Sequence, residues 1–180
     1  MRRLFLIRHP RPAVAPGLCY GRSDIGLARP AEEEAERLRR LLPANAALFC
    51  SPLRRCSLLA EALCPAARFD DRLREMDFGD WELKPWDQID RGLLDAWARS
   101  PLTFAPPGGE SAQDLRARVT AFFDDVKRQQ RREVIVLAHG GVLRAAASVL
   151  TGASDWLTLS FDFGAVSLVE NGAFIWTNRR

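Results

Sequence analysis

Two histidines, His9 and His139, are the only ones in the chain, and each stands directly after an apolar run. LFLI and Arg8 precede the first, and VIVLA precedes the second. Two further arginines, Arg54 and Arg55, stand near the start of a predicted helix that also follows a strand. Guanidinium groups match the oxygens of a phosphate, and a helix N-terminus favours an anion. These residue types predict a phosphate site.

A histidine in such a site can attack phosphorus and carry the phosphoryl group. A second histidine can stabilise the oxygens of the transition state, while a carboxylic acid protonates the leaving oxygen. The alternative is a zinc site, in which both histidines and aspartates would be ligands. Neither HxxxH nor HExxH occurs, and the four cysteines lack zinc spacing. We therefore expect no metal and no other cofactor.

The elements that must position these residues follow from hydrophobic periodicity. The predicted strands are 4–7, 46–50, 68–70, 134–138, 165–169 and 173–176. The predicted helices are 31–42, 52–63 (with Ser51 as N-cap and Pro52 as first residue), 87–99, 111–130 and 141–150. This alternation predicts an α/β fold with a mostly parallel sheet, in which ligands bind beyond the carboxyl ends of the strands. If the strands before His9 and His139 are neighbours, both imidazoles face one pocket.

Length and composition predict one domain, residues 1–180, with 47% apolar residues and a net charge of +3. Residues 71–110 carry several tryptophans and prolines and are predicted to form an insertion, a lid over the active site. Basic residues are dispersed, which disfavours nucleic acid as a partner. The N-terminal apolar stretch is too short for a signal peptide, and we expect a cytoplasmic protein with no membrane partner. The pattern indicates no particular oligomeric state.

Five motifs, LIRHP, SPLRRC, LREMDFGDWE, GGES and LAHGG, occur in this order between residues 4 and 141. Together they resemble the histidine phosphatase superfamily, also called the phosphoglycerate mutase-like fold. The resemblance implies a three-layer α/β fold, in which a mixed, mostly parallel sheet is flanked by helices. It also implies metal-independent hydrolysis of a small-molecule phosphomonoester through a phosphohistidine.

Individual roles also follow from the resemblance. It implies that His9 is the nucleophile, that Arg8 binds phosphate and that His139 is the second pocket histidine. The family pattern SPLxR selects Arg55 as the second phosphate-binding arginine and leaves Arg54 on the variable position.

The general acid implied by the pattern L-x-E-x-x-x-G is Glu75. Its closest competitor is Glu82, which follows a tryptophan in a WE pair that also recurs in the family. The sequence departs from the family pattern at Pro10, where glycine is usual, at Leu59, where threonine is frequent, and at Leu83, where WEG reads WEL. None of these departures removes a catalytic group.

The stretch GLCYGRSDIGL at 17–27, after RHP, looks like the α-ribazole phosphatase group. Those enzymes remove the 5′-phosphate of α-ribazole phosphate during cobalamin biosynthesis. The residues expected to contact phosphate or substrate are Arg8, Tyr20, Gly21, Arg22, Ser23, Arg55, Glu110, Ser111, His139 and Gly140. The alternatives are a broad-specificity phosphatase, a phosphoglycerate mutase-like enzyme, and a non-catalytic module that binds a phosphorylated ligand. A mutase would need longer covering segments, and a binding module would be expected to lack a catalytic group.

Overall fold

A computed structural model describes residues 3–180 of the protein. The first two residues, part of the stretch judged too short for a signal peptide, lie outside this range. Within residues 3–180, six strands form one sheet: β1 (Arg3–Arg8), β2 (Ala47–Cys50), β3 (Arg68–Phe69), β4 (Glu133–Ala138), β5 (Val166–Glu170) and β6 (Ala173–Arg179). The principal helices are α1 (Ala31–Arg39), α2 (Arg54–Leu63), α3 (Arg91–Arg99), α4 (Ala112–Arg128) and α5 (Gly140–Thr151).

The strand order in the sheet is β3-β2-β4-β1-β5-β6. Strands β3, β2, β4 and β1 run parallel, β5 runs antiparallel to β1, and β6 runs antiparallel to β5. The β5–β6 hairpin turns at Asn171 and Gly172, both with positive φ, as the Asn-Gly pair predicts. The predicted mixed, mostly parallel sheet is confirmed.

Alternation along the central strands divides the core into two layers. Leu4 and Leu6 of β1 pack with helices α4 and α5 on one face of the sheet. Phe5 and Ile7 pack with α1 and α2 on the other face. Successive strand residues point to opposite faces, and a strand covered on both sides is therefore apolar throughout. The predicted three-layer α/β architecture is confirmed.

Two predicted helix starts are wrong. Helix α2 begins at Arg54, not at Pro52, and Ser51 is not its N-cap. The Ser51 hydroxyl accepts a hydrogen bond from Leu53 N–H at 3.3 Å and contacts a ring nitrogen of His139 at 2.7 Å. Helix α3 begins at Arg91, because the Asp90 carboxylate accepts a hydrogen bond from a backbone N–H and caps the helix there.

Residues 71–110 contain an aromatic cluster made of Phe78, Trp81, Trp86, Trp97 and Phe104, which packs against the buried Cys19. The rings of Trp86 and Trp97 stack with centroids 5.9 Å apart and an interplanar angle of 3°. The tryptophans therefore fix one another's orientation. The assignment of this segment as a lid stays a prediction.

Across residues 3–180, none of the helices is both long enough and apolar enough to span a bilayer.

Candidate active site

The sheet topology brings the two histidines together. Strands β1 and β4 are parallel neighbours, with Arg8 in register with Ala138. His9 and His139, the next residues along each strand, therefore leave the sheet at the same edge. Their ring centroids are 5.1 Å apart, with an interplanar angle of 61°. The sequence predicts that both imidazoles face one pocket if the two strands are neighbours, and β1 and β4 are neighbours in the structure.

The tautomer of His9 is fixed by its neighbour. Its Nδ1 lies 2.6 Å from the carbonyl oxygen of Pro10, and a carbonyl only accepts hydrogen bonds, so Nδ1 carries the proton. Nε2 then keeps its lone pair, and it has no hydrogen-bond partner among residues 3–180. Burial lowers the pKa of His9 to about 3, and the positive charge of Arg55 acts in the same direction. His9 is therefore a neutral imidazole at physiological pH.

His139 is fully buried and connects two neighbours. Its Nδ1 accepts a hydrogen bond from Nε of Arg55 at 3.1 Å, which leaves Nε2 as the protonated nitrogen, 2.7 Å from the Ser51 hydroxyl. Burial lowers the pKa of His139 well below its usual value, and the neighbouring His9 and Arg55 lower it further. The ring is neutral, and both of its nitrogens are hydrogen-bonded within the protein.

Arg55 is also fully buried and holds the loop after the nucleophile. Nη1 donates to the carbonyl of Ser23 at 2.7 Å, and Nη2 donates to the carbonyl of Gly21. The guanidinium lies 5.5 Å from the centre of the Tyr20 ring. Arg54, in contrast, is exposed, and its backbone N–H donates to a carboxylate on the same loop. The pattern SPLxR therefore selects the arginine whose side chain is in the site.

Arg8 lies against the first turn of α5. A Cβ on Gly140 would stand 3.4 Å from the Arg8 guanidinium carbon, so the guanidinium and the helix start are direct neighbours. Nη1 of Arg8 donates to the Phe161 carbonyl at 2.7 Å, and the guanidinium lies 3.7 Å from the centre of the Phe163 ring. Its Nε is buried and lacks a partner within the described part of the chain. A buried donor without a partner is costly unless a bound group satisfies it.

Glu75 reaches the N-terminus of α5. Its carboxylate accepts the backbone N–H of Gly141 at 3.0 Å and that of Met76 at 2.9 Å. The backbone carbonyl of Glu75 accepts a hydrogen bond from the Arg118 guanidinium at 3.0 Å, which fixes the position of the residue. A side chain on Gly141 would collide with the carboxylate. The carboxyl group therefore lies at the same helix start as His139.

Glu82 occupies a different environment. Its carboxylate accepts the backbone N–H groups of Gly21, Arg22 and Ser23, together with the Ser23 hydroxyl and the N–H of Phe78. Burial raises the pKa of Glu82, but these donors outweigh it, and the pKa lies below its usual value. Glu82 is an ionised anchor for the 21–23 loop.

Glu110 and Ser111, predicted to meet the substrate, are engaged by protein groups. Glu110 forms an ion pair with Arg118 at 2.6 Å and lies 3.7 Å from Arg22. Ser111 caps α4 and exchanges hydrogen bonds with Asp114. Both side chains therefore serve the local structure around the helix start, and we do not include them among the residues proposed to contact substrate.

Sequence reasoning missed two residues of the site. Phe163, in the loop before β5, covers the Arg8 guanidinium and lies 5.4 Å from the His9 ring, centre to centre. Arg144 projects from α5, donates to the Leu159 carbonyl at 2.7 Å and lowers the pKa of Arg8, which burial lowers most. Phe163 lies outside the motifs, and a single arginine on a predicted helix gave no signal.

The arrangement supports transfer of a phosphoryl group. A neutral imidazole with a free Nε2 lies beside two arginines, a helix N-terminus and a carboxyl group. Among residues 3–180, no cluster of three or more His, Cys, Asp or Glu side chains is arranged to hold a metal ion.

This fold and this site define a phosphatase of the histidine phosphatase superfamily. The chain belongs to branch 1 of that superfamily, whose family model matches residues 4–173. One relative, provisionally named phosphoserine phosphatase 2, comes from Hydrogenobacter thermophilus. It is 32% identical over 162 residues, which cover 84% of this chain and 80% of the relative.

Two other relatives carry different substrate names. A glucosyl-3-phosphoglycerate phosphatase of Mycolicibacterium vanbaalenii is 31% identical and covers 84% of this chain and 75% of its own length. The adenosylcobalamin/α-ribazole phosphatase of Escherichia coli is 30% identical, and the match covers 83% of this chain and 79% of the relative. The crystal structure of the α-ribazole phosphatase from Shigella flexneri superposes with a TM-score of 0.82 at 26% identity, over 98% of this chain and 94% of that one.

Proposed function

We propose that this protein hydrolyses phosphomonoesters through a phosphohistidine at His9, without a metal ion, and that α-ribazole 5′-phosphate is its substrate. The observation that carries the chemistry is the tautomer of His9. The Pro10 carbonyl accepts a hydrogen bond from the protonated Nδ1 at 2.6 Å, and burial keeps the ring neutral, so Nε2 has a lone pair for attack on phosphorus.

The reaction has two steps. In the first, Nε2 of His9 forms a bond to phosphorus while the bond from phosphorus to the alcohol oxygen breaks, and Glu75 gives its proton to that oxygen. In the second, water attacks the phosphohistidine, the Glu75 carboxylate takes the proton of the water, and inorganic phosphate leaves. The bond from phosphorus to Nε2 breaks in this second step, and the two steps together return His9 and Glu75 to their starting states.

Positive charge around His9 replaces the divalent ion that other phosphatases use. Arg8 presents its unpartnered Nε, and the N-terminus of α5 begins at Gly140 against the same guanidinium. Arg55 is close enough to lower the pKa of His9, so its charge also acts on a phosphoryl group bound there. In this proposal His139 positions Arg55 through the hydrogen bond to Nδ1.

Support for α-ribazole phosphate comes from the loop at 17–27. This stretch resembles the α-ribazole phosphatase group, and the buried Arg55 holds its Gly21 and Ser23 carbonyls at the site. A relative and a solved structure carry the same substrate in their names. Phosphoserine and glucosyl-3-phosphoglycerate are the competing substrates, named for two other relatives.

The test is rapid quenching with α-ribazole 5′-[³²P]phosphate in excess EDTA. We expect a phosphoenzyme that is labile in acid and stable in alkali, with the label on the peptide that contains Arg8 and His9. His9→Asn should give no label. Label that survives acid, or activity that EDTA abolishes and zinc or magnesium restores, would overturn the proposed chemistry.

Specificity is tested by kcat/KM for four substrates: α-ribazole 5′-phosphate, phosphoserine, glucosyl-3-phosphoglycerate and 3-phosphoglycerate. We expect α-ribazole 5′-phosphate to be the best. A higher kcat/KM for one of the other three compounds would make that compound the proposed substrate. The proposed phosphohistidine chemistry would still stand. Phosphoryl transfer within 3-phosphoglycerate would indicate a mutase, and tight binding without turnover would indicate a binding module.

A further inference from the structure

A cavity of about 300 Å³ opens beside the proposed general acid. Its walls come from the 75–78 segment, the end of α3, the beginnings of α4 and α5, and the turn at Trp156. The charged residues that line it are Glu75 and Arg144, and the rest of the lining is apolar or glycine. Such a lining selects an apolar ligand with a few polar groups at one end.

The cavity borders the candidate active site. Glu75 lines it, and the carboxylate of Glu75 is hydrogen-bonded to Gly141, another lining residue, at 3.0 Å. Arg144, one helical turn further along α5, lies near enough to Arg8 to lower its pKa, although burial lowers it more. An alcohol whose oxygen takes a proton from Glu75 therefore has this cavity as its neighbour.

Three aromatic side chains, Phe78, Trp97 and Trp156, form part of the walls. Trp97 stacks on Trp86 at 5.9 Å and meets the edge of Phe78 at 6.1 Å. Trp156 is buried, with 4% of its surface exposed. These contacts hold the walls in place before any ligand arrives, so that little conformational entropy is lost on binding.

We propose that this cavity receives an aromatic ring attached to the leaving alcohol, and that the substrates of this enzyme are phosphomonoesters of ring-bearing alcohols. The proposal rests on the phosphatase function proposed above. It favours a ring-bearing alcohol over serine or a glucosylated glycerate. A charged or sugar-like group would lose its hydrogen bonds to water at the apolar wall and gain none from the protein. Trp97 is the proposed specificity-determining residue.

The test compares phosphomonoesters that share a leaving oxygen and differ in the ring. Phenylalkyl phosphates with one to three methylenes are measured beside methyl, ethyl and propyl phosphate. Because primary alkoxides of similar basicity leave in each pair, the ratio of kcat/KM reports the contact of the ring. Burying one phenyl ring should raise kcat/KM by roughly 10- to 100-fold in at least one pair.

Trp97→Ala should lower this ratio at least fivefold, and Trp97→Phe, which keeps a ring, should give an intermediate value. The matched control is Phe104→Ala, which removes an aromatic residue of the same cluster that stacks on Trp81 and does not line the cavity. Its ratio should stay within about twofold of the wild-type ratio.

Ratios near one for every pair in the wild-type enzyme would overturn the proposal, whether or not the variants fold. Equal effects of Trp97→Ala and Phe104→Ala would also overturn it, because they would trace the effect to the cluster as a whole. A failure of the proposed function looks different: neither the alkyl nor the phenylalkyl phosphates, nor p-nitrophenyl phosphate, would be hydrolysed.

Discussion

At the scale of single residues, Glu75 and Glu82 have opposite environments although they stand in one short stretch. Glu82 accepts hydrogen bonds from three consecutive residues of the 21–23 loop, and its pKa lies below the usual value despite the opposing effect of burial. Glu75 accepts the N–H of Gly141 beside the candidate phosphate site. Glu82 is thus held as an anion by the 21–23 loop, whereas the Glu75 carboxyl group lies at the helix start beside His139, where the proposed reaction needs an acid.

We expect Glu75→Gln to depend on the leaving group. An alkoxide needs a proton to leave, whereas p-nitrophenolate leaves without one. The substitution should therefore lower kcat/KM for α-ribazole 5′-phosphate roughly 10²-fold more than for p-nitrophenyl phosphate, the scale of general acid catalysis. Steady-state kinetics with both substrates measures the difference.

The control for this experiment is Glu82→Gln, which retains one carbonyl oxygen for several backbone and hydroxyl donors. We expect a lower midpoint of urea unfolding and similar losses on both substrates. If the dependence on leaving group followed Glu82 instead of Glu75, the acid would be misassigned.

Residue identities in the motifs could be predicted, but their partners could not. The pattern SPLxR distinguishes Arg55 from Arg54, and the structure buries the first and exposes the second. The carbonyls that Arg55 contacts belong to a loop far away in sequence, and no periodicity encodes that contact. The contact between Phe163 and Arg8 is also distant in sequence, because it depends on the pairing of β1 with β5.

At the scale of elements, the turn after Trp81 contains an unusual conformation. Leu83 has φ of +62°, a left-handed conformation that costs a non-glycine residue about 1–2 kcal/mol. The family pattern WEG has glycine at this position, whereas this chain has leucine. Its N–H donates to the Cys19 carbonyl at 2.8 Å, so the backbone is held in this conformation.

Leu83→Gly should raise the free energy of unfolding by about 0.5–1 kcal/mol. Relief of the left-handed strain exceeds the added backbone entropy of glycine in the unfolded chain. The leucine side chain is 56% exposed, so little buried surface is lost. Urea unfolding measures the change. Leu83→Ala keeps the strain and should bring no gain, and equal stabilities of the two variants would contradict this account.

The starts of the elements were predicted less well than the elements themselves. Ser51 followed by proline has the pattern of a helix N-cap, yet α2 begins later, at Arg54. The reason is tertiary, because the Ser51 hydroxyl is in contact with His139. A sequence window contains the local propensity of Ser51 and none of the competition from a distant strand end.

At the scale of the whole molecule, the alternation of strands and helices was enough to predict the layered fold. It could not predict the order of the strands, because pairing between β1 and β4 depends on the collapse of the whole chain. The Asn-Gly pair predicts the antiparallel hairpin of β5 and β6. Nothing in the sequence pattern predicts that this hairpin pairs with β1.

Neutral, buried histidines also make the stability of the whole fold depend on pH. The folded-state pKa of His9, about 3, lies below the unfolded value near 6.5, so the unfolded chain binds more protons between these limits. Stability is fully present above pH 6.5 and falls as the pH drops. For His9 the loss at pH 5 is about 2 kcal/mol, from roughly 1.4 kcal/mol per pH unit.

Urea unfolding at pH 7 and pH 5 tests this prediction against His9→Asn. Carboxylates contribute equally in both proteins, so the variant should lose about 2 kcal/mol less than the wild type between these two pH values. Identical losses would mean that His9 is protonated in the folded protein at pH 5. An NMR titration of the imidazole would show the same discrepancy directly.

The central place of β1 has a consequence for how the protein comes off the ribosome. In the pairings of β1, Arg3 lies opposite Glu133 of β4 and opposite Glu170 of β5, so β1 must wait for strands that are synthesised much later. Until then its backbone has no strand to pair with and its apolar side chains have no core to enter, and contacts of such long sequence separation form slowly. His9 therefore meets Gly140 only after β4 and the start of α5 have been synthesised, and until then a nascent chain has no assembled phosphate site.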